Sequence, residues 1–397
     1  MRDGTEALAA PLTAEDQTVQ SMPDVSPTKW HRGHTTWFFE TFVLSEHVAG
    51  YEPFDPAYAF LFNSYYEALG PRHARDARGV LSRPGIAEVA AYRHHVDEHM
   101  VQFLSGGVAQ GCLDLVELGL HHEQQHQELL LMDAKHVLSR NPLDPVYVPA
   151  ATRPRPAGAA PAGWMEVEGG VVELGHPGGR FGFDNESPRH EVLLRPYAVA
   201  TEPVTSSDWS AFIDDGGYVR PDLWLSDGWA TVVQQGWEAP LHWRLDAGAW
   251  SVFTLHGSRP VDAEEPVCHV SYYEADAFAR WAGARLPLEA EWEHAFSGSS
   301  WAADGGGRFD MGDLQPRPSA SPGEVWEWTS SPYVGYPGFR AAPGAVGEYN
   351  GKFMVNQQVL RGSSCLTPEG HQRLTYRNFF PPGARWACSG LRLARDL

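Results

Sequence analysis

His122 and His126 lie four residues apart in the run HHEQQHQELL. Residues i and i+4 of a helix share a face, so both imidazoles can point at one metal ion. The run also contains a literal H-E-x-x-H, the zinc-protease signature. That chemistry needs a third ligand downstream, yet after Glu128 no Glu occurs before Glu166, and the interval is mostly Pro- and Ala-rich. The residues after His126, QELLLMD, also lack the Gly turn of the extended motif. A zinc protease is therefore disfavoured. Glu123 falls one residue past His122 and off the metal face, which suits the surface or an outer position around a site. A third imidazole is available upstream in KWHRGHTTW, as His31 or His34. Three neutral imidazoles suit Fe, Zn, Cu or Ni.

Other residues could serve such a centre. Gln125, three residues after His122, is within helical reach of a metal-bound water or an adjacent ligand; a solvated side chain is the plainer reading. Tyr65 and Tyr66, in NSYYEALG, are either core aromatics or phenols able to give a proton to a metal-bound oxygen species. Arg72 and Arg75 follow with R-x-x-R spacing and could converge on a carboxylate, or form a solvated basic surface.

These residues need elements to hold them. The run from Leu113 onward reads as one long helix with Leu115, Leu118, Leu129 and Met132 on a buried stripe that also takes His122 and His126. A second helix is expected over 28–44, starting at Ser26-Pro27 with Pro at an early helical position. Residues 1–140 read as mostly helix, and 141–163, Pro- and Ala-rich without periodicity, as a linker. From 164 to 397 short β-type runs (WMEVEGGVVELG, HEVLLRPYAVA) alternate with turns, with one helical stretch over SYYEADAFARWAGARLPLEAEWEHAF. The fold class is thus helical followed by α+β.

Composition narrows the partners. The 397 residues carry a formal net charge of -20, which disfavours nucleic acid and anionic membranes. No stretch reaches the ~18–20 apolar residues of a membrane span. The four cysteines, Cys112, Cys268, Cys365 and Cys388, are scattered without a C-x-x-C pair. A reducing cytoplasm fits that usage.

The motifs KWHRGHTTWFFE, NSYYEALG, HHEQQHQELLLMD and YRNFFPPGARWACSGLRLA together resemble the ergothioneine-biosynthesis sulfoxide synthases. The resemblance extends over nearly the whole chain from about Ser21. It implies a DinB-like four-helix bundle followed by a formylglycine-generating-enzyme, C-type-lectin-like domain. The markers of the second part are PVCHVSYYEADAFARWAGARLPLEAEWEHA, GEVWEWT, RGSSC and GLRLA. By resemblance the ligands of Fe(2+) are His34, His122 and His126, with His31 left structural or on the helix surface. Tyr65 or Tyr66 assists the oxygen chemistry, and Gln125 meets the imidazole substrate or iron-bound water. Arg72 and Arg75 take the carboxylate of the sulfur donor. Asn378, Phe379 and Phe380 wall the trimethylammonium group.

The implied reaction uses O2 to join a thiol to imidazole C2 of hercynine and oxidises the sulfur to a sulfoxide. Cysteine, γ-glutamylcysteine and a seleno- or thiosugar are all open as donors, since a related branch makes selenoneine. The Ala387-Cys388 pair in RWACSG departs from the bulkier residues expected there, which puts the donor in doubt. The second domain's fold also allows structural calcium, with no ligands assigned. A different class of reading is a non-catalytic module that binds metal and ligand without turnover.

Overall fold

A computed structural model describes residues 1–151, 163–299, 301 and 309–397; of the expected linker, residues 152–162 lie outside the described residues. The chain divides into two compact units, Met1–Tyr147 with Ala342–Tyr349, and Val148–Ala341 with Asn350–Leu397.

The first unit is helical. Its elements are α1 (Arg2–Ala9), α2 (Thr28–Phe39), the short α3 (Ser45–His47) and α4 (Tyr58–Leu61), and the long α5 (Ile86–Ser105) and α6 (Gln110–Ser139). Pro27 is the residue just before α2, so it stands one place outside the helix rather than in its first turn. α2 packs on α5 and α6, and α1 on α2 and α6. Every residue of α2 is buried, including Lys29, His31, Arg32, His34, Thr35 and Thr36. A buried polar group must find a partner or cost free energy. Arg32 accordingly bonds Glu6 and Gln17, and Thr36 Oγ1 bonds the Arg32 carbonyl at 2.8 Å.

The helix expected over 28–44 changes character at Glu40. Residues Glu40–Leu44 form a π-helical turn. It carries a buried carboxylate that accepts from the Tyr51 hydroxyl (2.9 Å), the Phe54 amide (2.9 Å) and the Tyr92 hydroxyl (2.6 Å). Apolar spacing cannot report such a turn, because one widened loop of helix disturbs it only locally.

α6 is buried on a broader and slightly rotated face than expected. Leu115, Leu118 and Leu129 are half-buried, whereas Cys112, Val116, Gly119, His122, Glu123, His126 and Leu130 are buried. Gly119 lets α2 come close: a Cβ there would lie 2.7 Å from the Phe39 ring and 3.0 Å from Phe38. The helix is enclosed by α1 and α2 together, so polar positions as well as leucines turn inward.

The second unit mixes strands and helices. Trp164–Val167 pairs antiparallel with Tyr197–Ala200, whose other edge takes Ala394–Asp396. Gly170–Leu174 and His190–Leu194 form a two-stranded ladder, and Trp243–Asp246, Ala249–Thr254 and Gly257–Pro260 a meander. In the largest sheet Trp326–Pro332 lies between Gln358–Arg361 and the parallel Ser389–Gly390, and Asn378–Phe380 adds to Gln358–Arg361. Its α-helices among the described residues include α7 (Ser206–Asp214), α8 (Ser226–Gln235), α9 (Tyr272–Trp281) and α10 (Glu289–Phe296). Ser271 and Glu274 close a reciprocal cap at the start of α9, with bonds of 3.1 and 2.8 Å. Trp292, Trp301, Tyr197 and Leu194 centre one core cluster. The buried Arg377–Glu289 pair ties a loop to the start of α10, and Arg392–Glu327 ties a loop to the strand Trp326–Pro332, each at 2.9 Å.

The cysteines are less scattered than their spacing suggests. Cys268 Sγ lies 3.3 Å from Cys388 Sγ, which is 3.9 Å from Cys365 Sγ. The Val270 amide, bonded to the Ser389 carbonyl at 3.3 Å, brings together thiols 120 residues apart in the chain.

Candidate metal centre

His34 from α2 and His122 and His126 from α6 converge. One ligand atom from each lies within 4.8 Å of the others, and all three side chains are buried. The ring centroids are 4.9 Å (His34–His122), 4.7 Å (His34–His126) and 4.6 Å (His122–His126) apart.

Each ring is held in place. His34 is stacked between Trp30 (4.6 Å, 12°) and Trp37 (5.4 Å, 17°). Its Nδ1 donates to the Phe62 carbonyl at 2.6 Å, which leaves the lone pair on Nε2. Gly33 makes room for that contact, since a Cβ there would stand 2.3 Å from the Phe62 ring. His126 Nδ1 lies 2.9 Å from His31 Nδ1, and His31 Nε2 lies 2.9 Å from Asp133 Oδ2. His122 packs against Phe38 at 4.8 Å.

Three of the ring nitrogens at this spot lack partners. His34 Nε2 and both ring nitrogens of His122 are buried without a hydrogen-bond partner. Leaving such nitrogens unpaired costs about 1–3 kcal/mol each, and a cation among them would satisfy them. Burial, and then the neighbouring imidazoles, holds His34 and His126 well below the ordinary histidine value. Burial, only partly offset by the Glu123 charge, pushes His122 down to about 3. Neutral imidazoles are the form that binds metal, so three buried, neutral, N-donor ligands fit a transition-metal ion.

The same shifts make the metal-free protein acid-labile. Each of these histidines takes up a proton near pH 6.5 when unfolded but resists it when folded. Their stability contribution is complete above that value and is lost as pH falls, down to about 3 for His122. Each neutral ring adds about 1.4 kcal/mol per pH unit to the slope, so the three together give up to about 4. Thermal melts of metal-free protein between about pH 7.5 and pH 5 should show a steep fall; a flat melting temperature would contradict the burial argument.

Glu123 is neither on the surface nor free to act as a base. It is buried, and its carboxylate accepts from Arg2 (2.9 Å), Arg93 and Thr5 Oγ1 (2.6 Å). Burial alone would raise its pKa, but the Arg2 and Arg93 charges and the Thr5 hydroxyl overcome this and hold it at about 2. His31 is likewise buried rather than on the helix surface.

The other candidates are placed as follows. Tyr66 is buried, stacks on Tyr65 (4.6 Å) and touches Trp37 (5.5 Å), the indole that also covers His34. Burial and then Tyr65 keep its phenol well above the ordinary value, hence protonated. Gln125 is half-buried, and its Oε1 accepts from the Tyr349 hydroxyl. The Tyr349 ring lies 5.6 Å from His122 and 6.5 Å from Tyr65, a third phenol that sequence reasoning passed over. It stands 224 residues from Gln125, and no local pattern could have signalled the contact.

Arg72 and Arg75 are exposed and do not share a partner. Arg72 pairs with Glu67 at 2.8 Å, and Arg75 bonds the Asp24 carbonyl. The buried arginine of the run is Arg78, whose guanidinium lies 3.4 Å from the Trp30 ring centroid and bonds Ser26 Oγ at 2.9 Å. In the second unit, Asn378–Phe380 form a half-buried edge strand, with Phe379 stacked on Tyr333 at 4.0 Å.

Comparisons with known proteins agree with this picture. Residues 150–322 match the family described as Sulfatase-modifying factor enzyme 1-like domain. A hercynine oxygenase of Mycolicibacterium smegmatis is 36% identical over 319 residues, 70% of this chain and 71% of that protein. One from Mycobacterium tuberculosis is 31% identical over 411 residues, covering 94% and 92%. A formylglycine-generating enzyme of Streptomyces coelicolor is 31% identical over 314 residues, 62% of this chain and 96% of that enzyme. The match to the mycobacterial proteins runs through both the helical and the mixed unit, and the chain belongs to the hercynine oxygenase family of ergothioneine-biosynthesis sulfoxide synthases.

Proposed function

We propose that this protein is an iron(II)-dependent oxygenase that joins a sulfur or selenium donor to imidazole C2 of hercynine, using O2. The observation that carries the reading is the buried trio His34, His122 and His126 with its unpartnered nitrogens. Family membership supports hercynine as the substrate to be oxidised. We read the helical unit as DinB-like, with a domain scheme of 1–140, 141–163 and 164–397.

Bound iron(II) would supply redox chemistry with O2 and acidify a coordinating thiol. The chain supplies the rest. Three rings locked by Phe62, His31 and the flanking aromatics would hold the ion, and reactants gathered on it would gain the proximity term. The Tyr65–Tyr66 pair is assigned as proton donor, since burial keeps the Tyr66 phenol protonated and so holding the proton to be delivered. Gln125, oriented by Tyr349, is assigned to the substrate imidazole. Arg72 and Arg75 are assigned to the donor's carboxylate, Arg72 exchanging its exposed pairing with Glu67 for the ligand. Asn378, Phe379 and Phe380 are assigned to the trimethylammonium group, which suits aromatic faces.

Phenylalanine at the tyrosine that delivers the proton should lower turnover by about 10²–10⁴-fold while leaving metal affinity unchanged. If Tyr65→Phe and Tyr66→Phe both retain full turnover, the assignment fails. The function itself is tested by loading the protein anaerobically with iron(II), adding hercynine and each donor, admitting air, and weighing the product. A sulfoxide of the added thiol is expected, or a selenium isotope pattern with a selenosugar. Unchanged hercynine with every donor would overturn the reading.

A further inference from the structure

Beyond the three ligands, α2 and α6 carry a second buried pair to which no role has been assigned above. His31 and Asp133 are 2% and 4% exposed, as enclosed as the ligands themselves. Asp133 Oδ2 accepts the Ser26 amide at 2.8 Å and lies 2.9 Å from His31 Nε2. On the other edge of the same ring, His31 Nδ1 lies 2.9 Å from His126 Nδ1.

The order of protons along this line follows from donor and acceptor chemistry. Asp133 Oδ2, a carboxylate oxygen already accepting the Ser26 amide, has no proton to give. His31 Nε2 must therefore carry one and donate it. A neutral His31 then has a bare Nδ1. Two ring nitrogens 2.9 Å apart form a hydrogen bond only if one holds the proton, so it sits on His126 Nδ1. The lone pair of His126 is thereby left on Nε2, the nitrogen not engaged by His31. His34 reaches the same tautomer by a different route, through the Phe62 carbonyl.

We propose that Asp133 and His31 are positioning residues which fix the tautomer and ring orientation of His126 through the line Asp133–His31–His126. The proposal rests on the metal reading above, and it deepens that reading by explaining why a histidine that is not a ligand is buried among ligands. Partners of this kind act on affinity through the ligand they orient, and their loss costs about 10–100-fold.

Asp133→Leu is the most informative variant. Asparagine would keep an oxygen where the Ser26 amide and His31 both donate, whereas leucine removes the acceptor that holds the proton on His31 Nε2 and leaves His31 Nδ1 bare for His126. His31→Leu breaks the line, and His31→Gln keeps an oxygen able to accept from His126 Nδ1.

Two measurements on the full chain test this. Titration with Co(II), followed by its visible absorption, should give dissociation constants about 10–100-fold weaker for Asp133→Leu and His31→Leu, with an altered spectrum. His31→Gln should recover part of the loss. In the metal-free wild type, ¹⁵N-histidine NMR should show His126 protonated on Nδ1 and His31 on Nε2. That second readout needs neither metal nor activity, and it stands if a variant misfolds. Wild-type Co(II) affinity and spectrum in both variants, or the opposite tautomers in the wild type, would overturn the relay. A wild type that binds no Co(II) but shows these tautomers would keep the proton order and overturn the metal reading instead.

Discussion

Replacing His122 by Leu should abolish iron(II) binding and raise the stability of the metal-free protein. Metal affinity should fall by more than about 100-fold, because the loss of a ligand exceeds the loss of an outer partner. His34→Ala and His126→Ala should do the same to affinity. The stability effect has the opposite sign at His122, whose ring nitrogens are both buried without partners. A leucine of similar bulk removes both unsatisfied groups, so the gain is about 1–3 kcal/mol for each nitrogen. It should grow below about pH 6.5, where the wild-type ring must stay neutral to remain folded. A site kept at a cost in stability is the signature of function rather than packing. Melting curves and anaerobic iron titrations on the same variant check both halves. A His122→Leu protein that binds iron normally would remove His122 from the ligand set. One that is strongly destabilised would make His122 a packing residue.

Glu123→Ala has the larger effect on folding. The carboxylate joins α1, α5 and α6 through Arg2, Thr5 and Arg93. Arg93 is 3% exposed, and deleting Glu123 takes away its buried counter-charge and leaves it the more exposed Glu6 carboxylate at 3.0 Å. Breaking one side of such a pair costs about 3–5 kcal/mol. For a unit of this size that lowers the melting temperature by roughly 10 °C. Its contribution is present above the ordinary carboxylate value of 4.5 and is lost as pH falls through about 2, which adds to the acid sensitivity of the histidines. In a zinc protease the same glutamate would be the base, and its replacement would spare the fold. A Glu123→Ala protein that melts like the wild type would contradict the ion-pair assignment.

How much of this was legible in the sequence depended on distance along the chain. The pairing of His122 with His126 is local and follows from helical geometry alone. The choice of His34 over His31 came only from family resemblance, because both lie on α2 and both are buried. What separates them is their partners, the Phe62 carbonyl for His34 and Asp133 for His31, the latter 102 residues away. Glu123 was set aside because a single helical stripe leaves its neighbours outside. α6 is covered by α1 as well as α2, so Glu123 turns inward onto Arg2. Tyr349 and the Cys268–Cys388 contact escaped for the same reason: each joins segments more than 100 residues apart. The mixed texture after residue 164 was readable from short alternating runs, but which strands pair was not, since non-local register leaves no periodic trace.

Oxygen uptake tests the central claim most directly. Iron-loaded wild-type protein should consume O2 only when hercynine and a thiol or selenosugar donor are both present, and His34→Ala, His122→Ala and His126→Ala should consume none. Uptake that persists in those variants, or that is indifferent to hercynine, would contradict a three-histidine iron centre acting on that substrate.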